Sequence, residues 1–281
     1  MDLFIASCRE LPEPDLDAAP LESALLGVGI TSQVVPWDDP KAPWSDAPAI
    51  LIRSTWNYPH HPEAFMDWLS RVSATAPMWN PAEIVRWNVH KGYLNELAEA
   101  GLPVTPTVLV RRGSDQSLRS IMQEQGWARA VVKPAISAAS FRTLRVDDCH
   151  SQEAESHLRL LASDADVLVQ AYLDSVEDYG ERALVWIDGE LTHSVRKTPR
   201  WDGEDECVSQ AMPIRPEEAE LAARAVAAVS SELLYARIDV APGPSGSPIL
   251  MELELIEPSL FFPQHPAALQ RYVEAVRRRL S

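Results

Sequence analysis

Three acidic residues toward the C-terminal end are spaced to hold a divalent cation. Asp239 lies in YARIDVA, and Glu252 and Glu254 lie in ILMELELIEP. Residues two apart in an extended strand share a face, so Glu252 and Glu254 project together while Met251, Leu253 and Leu255 turn to the core. Neighbouring carboxylates repel one another unless a cation sits between them. Magnesium suits such a pair, because it takes hard oxygen ligands and bridges protein carboxylates to phosphates. A solvent-facing acidic stripe on an edge strand is the other reading of the same spacing. Glu257, on the opposite parity, is a weaker metal ligand.

An anionic partner for that cation needs basic side chains, and they are scarce. The formal net charge is −16, and the only lysines are Lys41, Lys91, Lys133 and Lys197. A basic surface that releases counterions from a nucleic acid is therefore excluded, and any anionic ligand must be held by a few local cations. Lys133 ends the apolar run AVVKP just before the small-residue loop ISAASFRT, which has the composition of a lid closing over a phosphate. Asn88 is placed to cap a helix running to Ala100 with Gly101 as its stop, so Lys91 would add its charge to the positive end of the helix dipole. Arg53, at the end of AILIR, offers a planar fork for a substrate carboxylate at a strand end, where open α/β sheets bind ligands. An ion pair at a domain interface is its other reading. Trp56 and Tyr58 would wall a pocket or simply pack, and His60, His61, His90 and His193 have no metal-ligand spacing. No Walker phosphate loop, dinucleotide fingerprint, zinc helix or nucleophile elbow is present, and the prolines of GPSGSP remove N–H groups that a phosphate nest requires.

The elements that must position these groups are legible as periodicities. LFIAS, a helical pattern, TSQVV and AILIR give a βαββ order, the mark of an open α/β layer, with a loop over residues 37–48 and a helix over 62–74. A first domain closes near residue 85. Strand patterns TVLVR, AVVKP, TLRV and VLVQAYL, interleaved with helical patterns near 116–125 and 152–161, form a small α+β subdomain. A hairpin turning at Asp188-Gly189 follows, then a helix over 216–234, two strands and a final helix ending in Arg277, Arg278 and Arg279, which complement the dipole. Of the 281 residues 46% are hydrophobic, which suits a folded globular chain. The acidic start, the lack of a membrane-length apolar run and three scattered cysteines point to a cytoplasmic, reducing setting with no membrane partner.

HKGYL with Lys91, VVKP with Lys133, VQAYL with Gln170, GER with Glu181, RID with Asp239 and MELE with Glu252 stand in the order found in ATP-grasp ligases, which the chain resembles from about residue 80 to 260. RSTWNY at Arg53 to Tyr58 resembles the N-terminal domain of one bacterial branch, which includes the O-ureido-serine cyclo-ligase of cycloserine biosynthesis. The resemblance implies an α/β ATP-grasp fold: an N-terminal open α/β domain (1–85), then a central subdomain with a lid loop (86–173) and a C-terminal subdomain with metal carboxylates (174–281), which clamp ATP. It implies that Lys91, Lys133 and Ser137 contact phosphates, that Gln170, Ala171, Tyr172 and Leu173 form the adenine hinge, and that Glu177 or Glu181 lies at the ribose or metal side. Asp239 and Glu252 match the Mg2+ carboxylates, and Glu254 stands where many relatives have asparagine. Arg237 would steady an acyl phosphate, helped by Lys197 or Arg196. Arg53, Ser54, Thr55, Trp56, Asn57 and Glu257 would face substrate. The implied activity is ADP-forming amide synthesis from small-molecule carboxylate and amine groups, as ring closure of a derivative such as O-ureido-serine. The alternatives are an intermolecular amino acid or dipeptide ligase and an ATP-grasp kinase. Homo-oligomerisation is left open.

Overall fold

Short apolar runs and the helical patterns between them sort into three four-stranded sheets in a computed structural model, which describes residues 1–138, 140–198, 207–229 and 231–281. The first comprises β1 (Leu3–Ser7), β2 (Ser32–Pro36), β3 (Ile50–Ile52) and β4 (Met78–Trp79), with α1 (Ala18–Gly27) and α2 (Pro62–Ser73) as crossovers. All pairings are parallel, in the order β2-β1-β3-β4. β1 and β3 are buried at every residue, as strands covered on both faces must be. α2 presents Phe65, Trp68, Leu69 and Val72 to the sheet, the spacing of one helix face.

After α3 (Ala82–Val89) and α4 (Tyr93–Glu99), the second sheet runs β5 (Thr107–Val110), β6 (Ala130–Pro134), β7 (Leu144–Val146) and β8 (Val167–Ala171), with α5 (Leu118–Gln125) and α6 (Gln152–Asp164) between them. Its order is β5-β8-β6-β7, antiparallel throughout. The short α7 (Ser175–Tyr179) leads to the third sheet: β9 (Glu181–Ile187), β10 (Glu190–Lys197), β11 (Tyr235–Pro242) and β12 (Pro248–Glu254), ordered β10-β9-β11-β12 and also antiparallel, with α8 (Pro216–Ala227) before β11 and α9 (Pro266–Leu280) last. Asp188 and Gly189 turn the β9–β10 hairpin with φ of 45° and 94°, the left-handed pair that a two-residue hairpin loop requires. The Asp188 carboxylate accepts from Arg278 and, at 2.7 Å, from Arg279, so these arginines of α9 hold the hairpin tip as well as ending a helix.

Two helix expectations need correction. Asn88 does not cap a helix running to Ala100: α3 stops at Val89 and a new helix begins at Tyr93. The Asn88 side chain is turned to tertiary use, donating to Leu253 O at 2.7 Å and accepting from Leu255 N at 2.9 Å, which ties α3 to the end of β12. The helix over 216–234 stops at Ala227; Ser230 in its expected run, and Ala139 in the expected lid loop, lie outside the described residues.

The sheets share cores. One apolar cluster joins Leu3, Ile5, Leu21 and Leu25 of the N-terminal layer to Tyr235, Tyr272, Val273 and Val276 of the C-terminal one. Asp17, just before α1, is its polar counterpart: its carboxylate accepts from the backbone N–H of Leu260 at 2.6 Å and of Phe262 at 2.7 Å, and pairs with Arg53 at 3.3 Å. Among the described residues no helix is long and apolar enough to cross a membrane.

Candidate active site

A cavity of about 280 Å³ opens between the second and third sheets, with one wall supplied by the segment after β3. Three structural devices bring its basic groups inward. At the break between α3 and α4, the Lys91 N–H donates to Ala135 O at 2.7 Å, fixing that segment against the end of β6. β6 itself carries Lys133. Gly180 precedes β9 at φ 79°, and a Cβ there would lie 2.2 Å from the Lys197 carbonyl oxygen, so only glycine lets β9 start against the end of β10 and leave Lys197 where it is.

Lys91 Nζ and Lys133 Nζ reach the two oxygens of one carboxylate, that of Glu252, each at 2.7 Å. Lys197 Nζ lies 2.8 Å from both Glu181 and Asp239. Arg237 grips Asp239 with two N–H groups at 2.9 Å and reaches Glu254 at 2.5 Å. These contacts form two groups side by side, Lys91 and Lys133 on Glu252, and Lys197 and Arg237 on Glu181, Asp239 and Glu254, all lining the cavity. Register accounts for this: Asp239 pairs with Glu252 and Arg237 with Glu254 across β11 and β12.

The electrostatics follow from burial and partners. Burial alone would raise the Glu252 carboxyl, but Lys133 and then Lys91 hold it far below the usual carboxylate range. Burial likewise opposes ionisation of Asp239, and Arg237 and Lys197 overcome it. At Glu181 and Glu254 burial wins, helped by neighbouring carboxylates and only partly offset by Lys197 and Arg237 respectively, and both are raised. Burial, reinforced by Glu254, pushes Glu257 up to about 8.

Several expected site residues enter the cavity: Lys91, Lys133, Ser137, Gln170, Glu181, Lys197, Arg237, Asp239, Glu252, Glu254, Trp56 and Glu257 line it. Met251 and Leu253 also border it, but Leu253 is fully buried whereas Met251 is only half-buried, contrary to the strict alternation that turned both to the core. A register shift between Asp239 and Val240 inserts an extra residue opposite β11, so Met251 escapes the parity of Leu253 and Leu255. Arg53 is not brought to the cavity. It is 3% exposed, paired with Asp17 and set over the rings of Tyr235 and Phe262. Ser54 bonds to Asp15 and Asn57 to Asp38, while Thr55 is fully buried; none of the three lines the cavity. Arg196 faces outward on β10, opposite in parity to Lys197, with its guanidinium over the Tyr179 ring. Glu177 is engaged outside, by Arg129 at 2.7 Å and Arg145 at 2.8 Å. Ala171, Tyr172 and Leu173 continue from Gln170 beyond the cavity lining, with the Ala171 N–H given to Pro106 O and the Tyr172 N–H to Arg129 O.

Sequence reasoning missed Tyr93, which lines the cavity and whose hydroxyl accepts from Leu253 N at 3.0 Å. It also missed Glu13, in a loop without periodicity. Tyr93 stands two residues beyond Lys91 in HKGYL, the available signal.

The donor set is compatible with magnesium. Asp239, Glu252 and Glu254 offer only carboxylate oxygens, on facing strands, as a hard cation requires. Held apart by Lys91, Lys133, Lys197 and Arg237, these three carboxylates are not drawn together around one point; among the described residues the one compact group of metal-ligating types is Asp148, Cys149 and His150, consecutive in a turn.

A family model described as the N-terminal domain of D-cycloserine synthetase DcsG matches residues 3–80. The cycloserine biosynthesis protein DcsG of Streptomyces lavendulae is 33% identical over 282 aligned residues, 95% of this chain and 94% of that protein. A crystal structure of D-cycloserine synthetase DcsG superposes with a TM-score of 0.92 at 30% identity, covering 99% of both chains. The fold extends to the ATP-grasp ligase PsnB, solved with a precursor variant, Mg and ADP, at a TM-score of 0.66 and 17% identity, covering 100% of this chain and 99% of that one. With its sheets, its interlocked charges and a relative matched along nearly its whole length, the chain belongs to the DcsG family of ATP-grasp ligases, ATP-dependent enzymes that release ADP.

Proposed function

We propose that the protein closes a ring within a small amino-acid derivative of the O-ureido-serine type, joining its carboxylate to its own nitrogen at the expense of ATP. The ring-closure reading is supported by the likeness to the cycloserine biosynthesis protein along 95% of the chain, and its ATP half by the shared grip of Lys91 and Lys133 on Glu252. Two lysines that converge on one anion are placed to converge on another, and phosphate oxygens are the anions an ATP-grasp ligase must hold.

In this reading Lys91, Lys133 and Ser137 hold the triphosphate, Gln170 to Leu173 border the base, and Asp239, Glu252 and Glu254 hold magnesium, which offsets negative charge on the phosphates when bound. The central (86–173) and C-terminal (174–281) parts then form the clamp, and the N-terminal part (to about 85) closes the acceptor side. A substrate carboxylate oxygen attacks the terminal phosphorus and ADP departs, leaving an acyl phosphate. The nitrogen of the same molecule attacks the acyl carbon, inorganic phosphate leaves with the C–O bonding pair, and the nitrogen gives up its proton. Arg237 is positioned to steady charge on the acyl phosphate, and Lys197 orients Asp239. Most of the acceleration comes from alignment and charge compensation rather than from a protein nucleophile.

Incubation with O-ureido-serine, ATP and Mg2+ tests this. ADP and cyclic product should appear in equal amounts without added amine. A requirement for a second amine would replace ring closure by intermolecular ligation, and a stable phosphorylated product would make the enzyme a kinase.

A further inference from the structure

Among the described residues, the four cations lining the cavity are all engaged by the four strand carboxylates described above. Glu257 stands apart from that lattice. It is 9% exposed, lines the same cavity, and forms no ion pair with any described residue. Its neighbours are the walls contributed by the N-terminal part. Trp56 Nε1 donates to the Glu257 carbonyl oxygen at 2.9 Å, fixing the backbone, and Tyr58 is the hydrogen-bonding neighbour of its carboxyl. A carboxylate buried without a counter-ion is costly to keep unless a ligand supplies the missing charge.

Resting on the ring-closure reading above, we infer that Glu257 is the receptor for a substrate ammonium group, so that the enzyme selects carboxylate substrates that also carry a positively charged amine. A charge-assisted N–H···O bond to a largely buried receptor discriminates strongly against an analogue lacking the donor, because the receptor is then left unmatched. Trp56 and Tyr58 act through Glu257 as positioning residues. Burial and Glu254 disfavour ionisation of Glu257, with Lys91, Tyr58 and Arg237 only partly opposing, and a bound ammonium would restore the charged form.

The test is a two-by-two comparison of wild type and Glu257→Gln with O-ureido-serine and with 3-(ureidooxy)propanoate, which lacks the α-amino group. Loss of the amine should lower wild-type kcat/KM about tenfold or more and that of the variant by less than about twofold, with KM for ATP unchanged in both. An equal penalty in the two enzymes overturns the inference. If the glutamine variant does not fold, Glu257→Asp replaces it, with a reduced but measurable difference expected and an equal penalty again decisive. Failure of the wild type to turn over O-ureido-serine would sink ring closure alone. Calorimetric binding of serine against 3-hydroxypropanoate to the ATP-loaded protein then decides this inference, and equal affinities refute it.

Discussion

Lys91 and Lys133, 42 residues apart in sequence and on different elements, hold opposite oxygens of the Glu252 carboxylate at the same 2.7 Å. Their ammonium groups are largely buried, with side chains 11% exposed. Glu252→Gln therefore leaves two enclosed cations facing an amide. A loss on the order of 2 kcal/mol is expected, below the ~3–5 kcal/mol of a fully broken buried pair because the amide still accepts a bond. Melting should fall by several degrees, and turnover should disappear at ordinary magnesium. Wild-type melting together with wild-type activity at limiting magnesium would remove Glu252 from both roles.

Lys133→Ala should weaken ATP binding by roughly 1.5–3 kcal/mol, the range for a hydrogen bond to a charged group. Calorimetry reads this directly, and an unchanged affinity would take Lys133 out of the nucleotide site.

On β10 the strand alternation separates two basic neighbours. Lys197 is enclosed between Glu181 and Asp239, whereas Arg196 is exposed. Lys197→Met should lower kcat by on the order of a hundredfold or more, as loss of a charged active-site contact does; Arg196→Ala should change it by less than about twofold. Comparable losses in the two variants would contradict the geometry.

Arg53 is buried in an ion pair with Asp17 away from the cavity. Truncation to Ala strands the buried Asp17 carboxylate, at a cost of about 3–5 kcal/mol, while KM for ATP and for the carboxylate substrate should stay near wild type. Denaturant unfolding against steady-state kinetics separates the outcomes, and a large KM effect without destabilisation would return Arg53 to the substrate.

Glu257 predicts a pH dependence. Its folded value, about 8, exceeds the unfolded 4.5 through burial and Glu254, with Lys91, Tyr58 and Arg237 partly opposing. Between those values the folded protein keeps a proton that the unfolded chain has lost, so stability falls as pH rises. Buried His193, lowered to about 4, acts in the opposite direction but only below its unfolded 6.5. From about pH 6.5 to 8 the ligand-free protein should therefore lose on the order of a few degrees of melting temperature. Glu257→Gln should flatten that slope, and an unaltered slope would assign it elsewhere.

Much of the fold is readable from local pattern, and the failures have local causes. The alternation that puts Glu252 and Glu254 on one face is a property of any strand, whereas the displacement of Met251 depends on a bulge that only pairing with β11 creates. Asn88 has the chemistry of a helix cap, and its amide serves Leu253 and Leu255 instead, partners about 165 residues away that no window of sequence reveals. Arg53 follows directly on β3 instead of ending it, and Asp17 claims its side chain. Arg196 and Lys197 are adjacent in sequence, and the start of the pairing with β9 decides which points inward.

The apolar cluster that joins Leu3, Leu21 and Leu25 to Tyr272, Val273 and Val276 has a consequence for biosynthesis. While the chain is emerging from the ribosome, the first layer has its strands but lacks the last helix that covers them. Its apolar face waits for the final fifteen residues of α9, and Asp17 waits for Leu260 and Phe262. Nascent chains halted before α9 should therefore remain protease-sensitive at their amino-terminal end, and that end should become resistant once α9 has emerged.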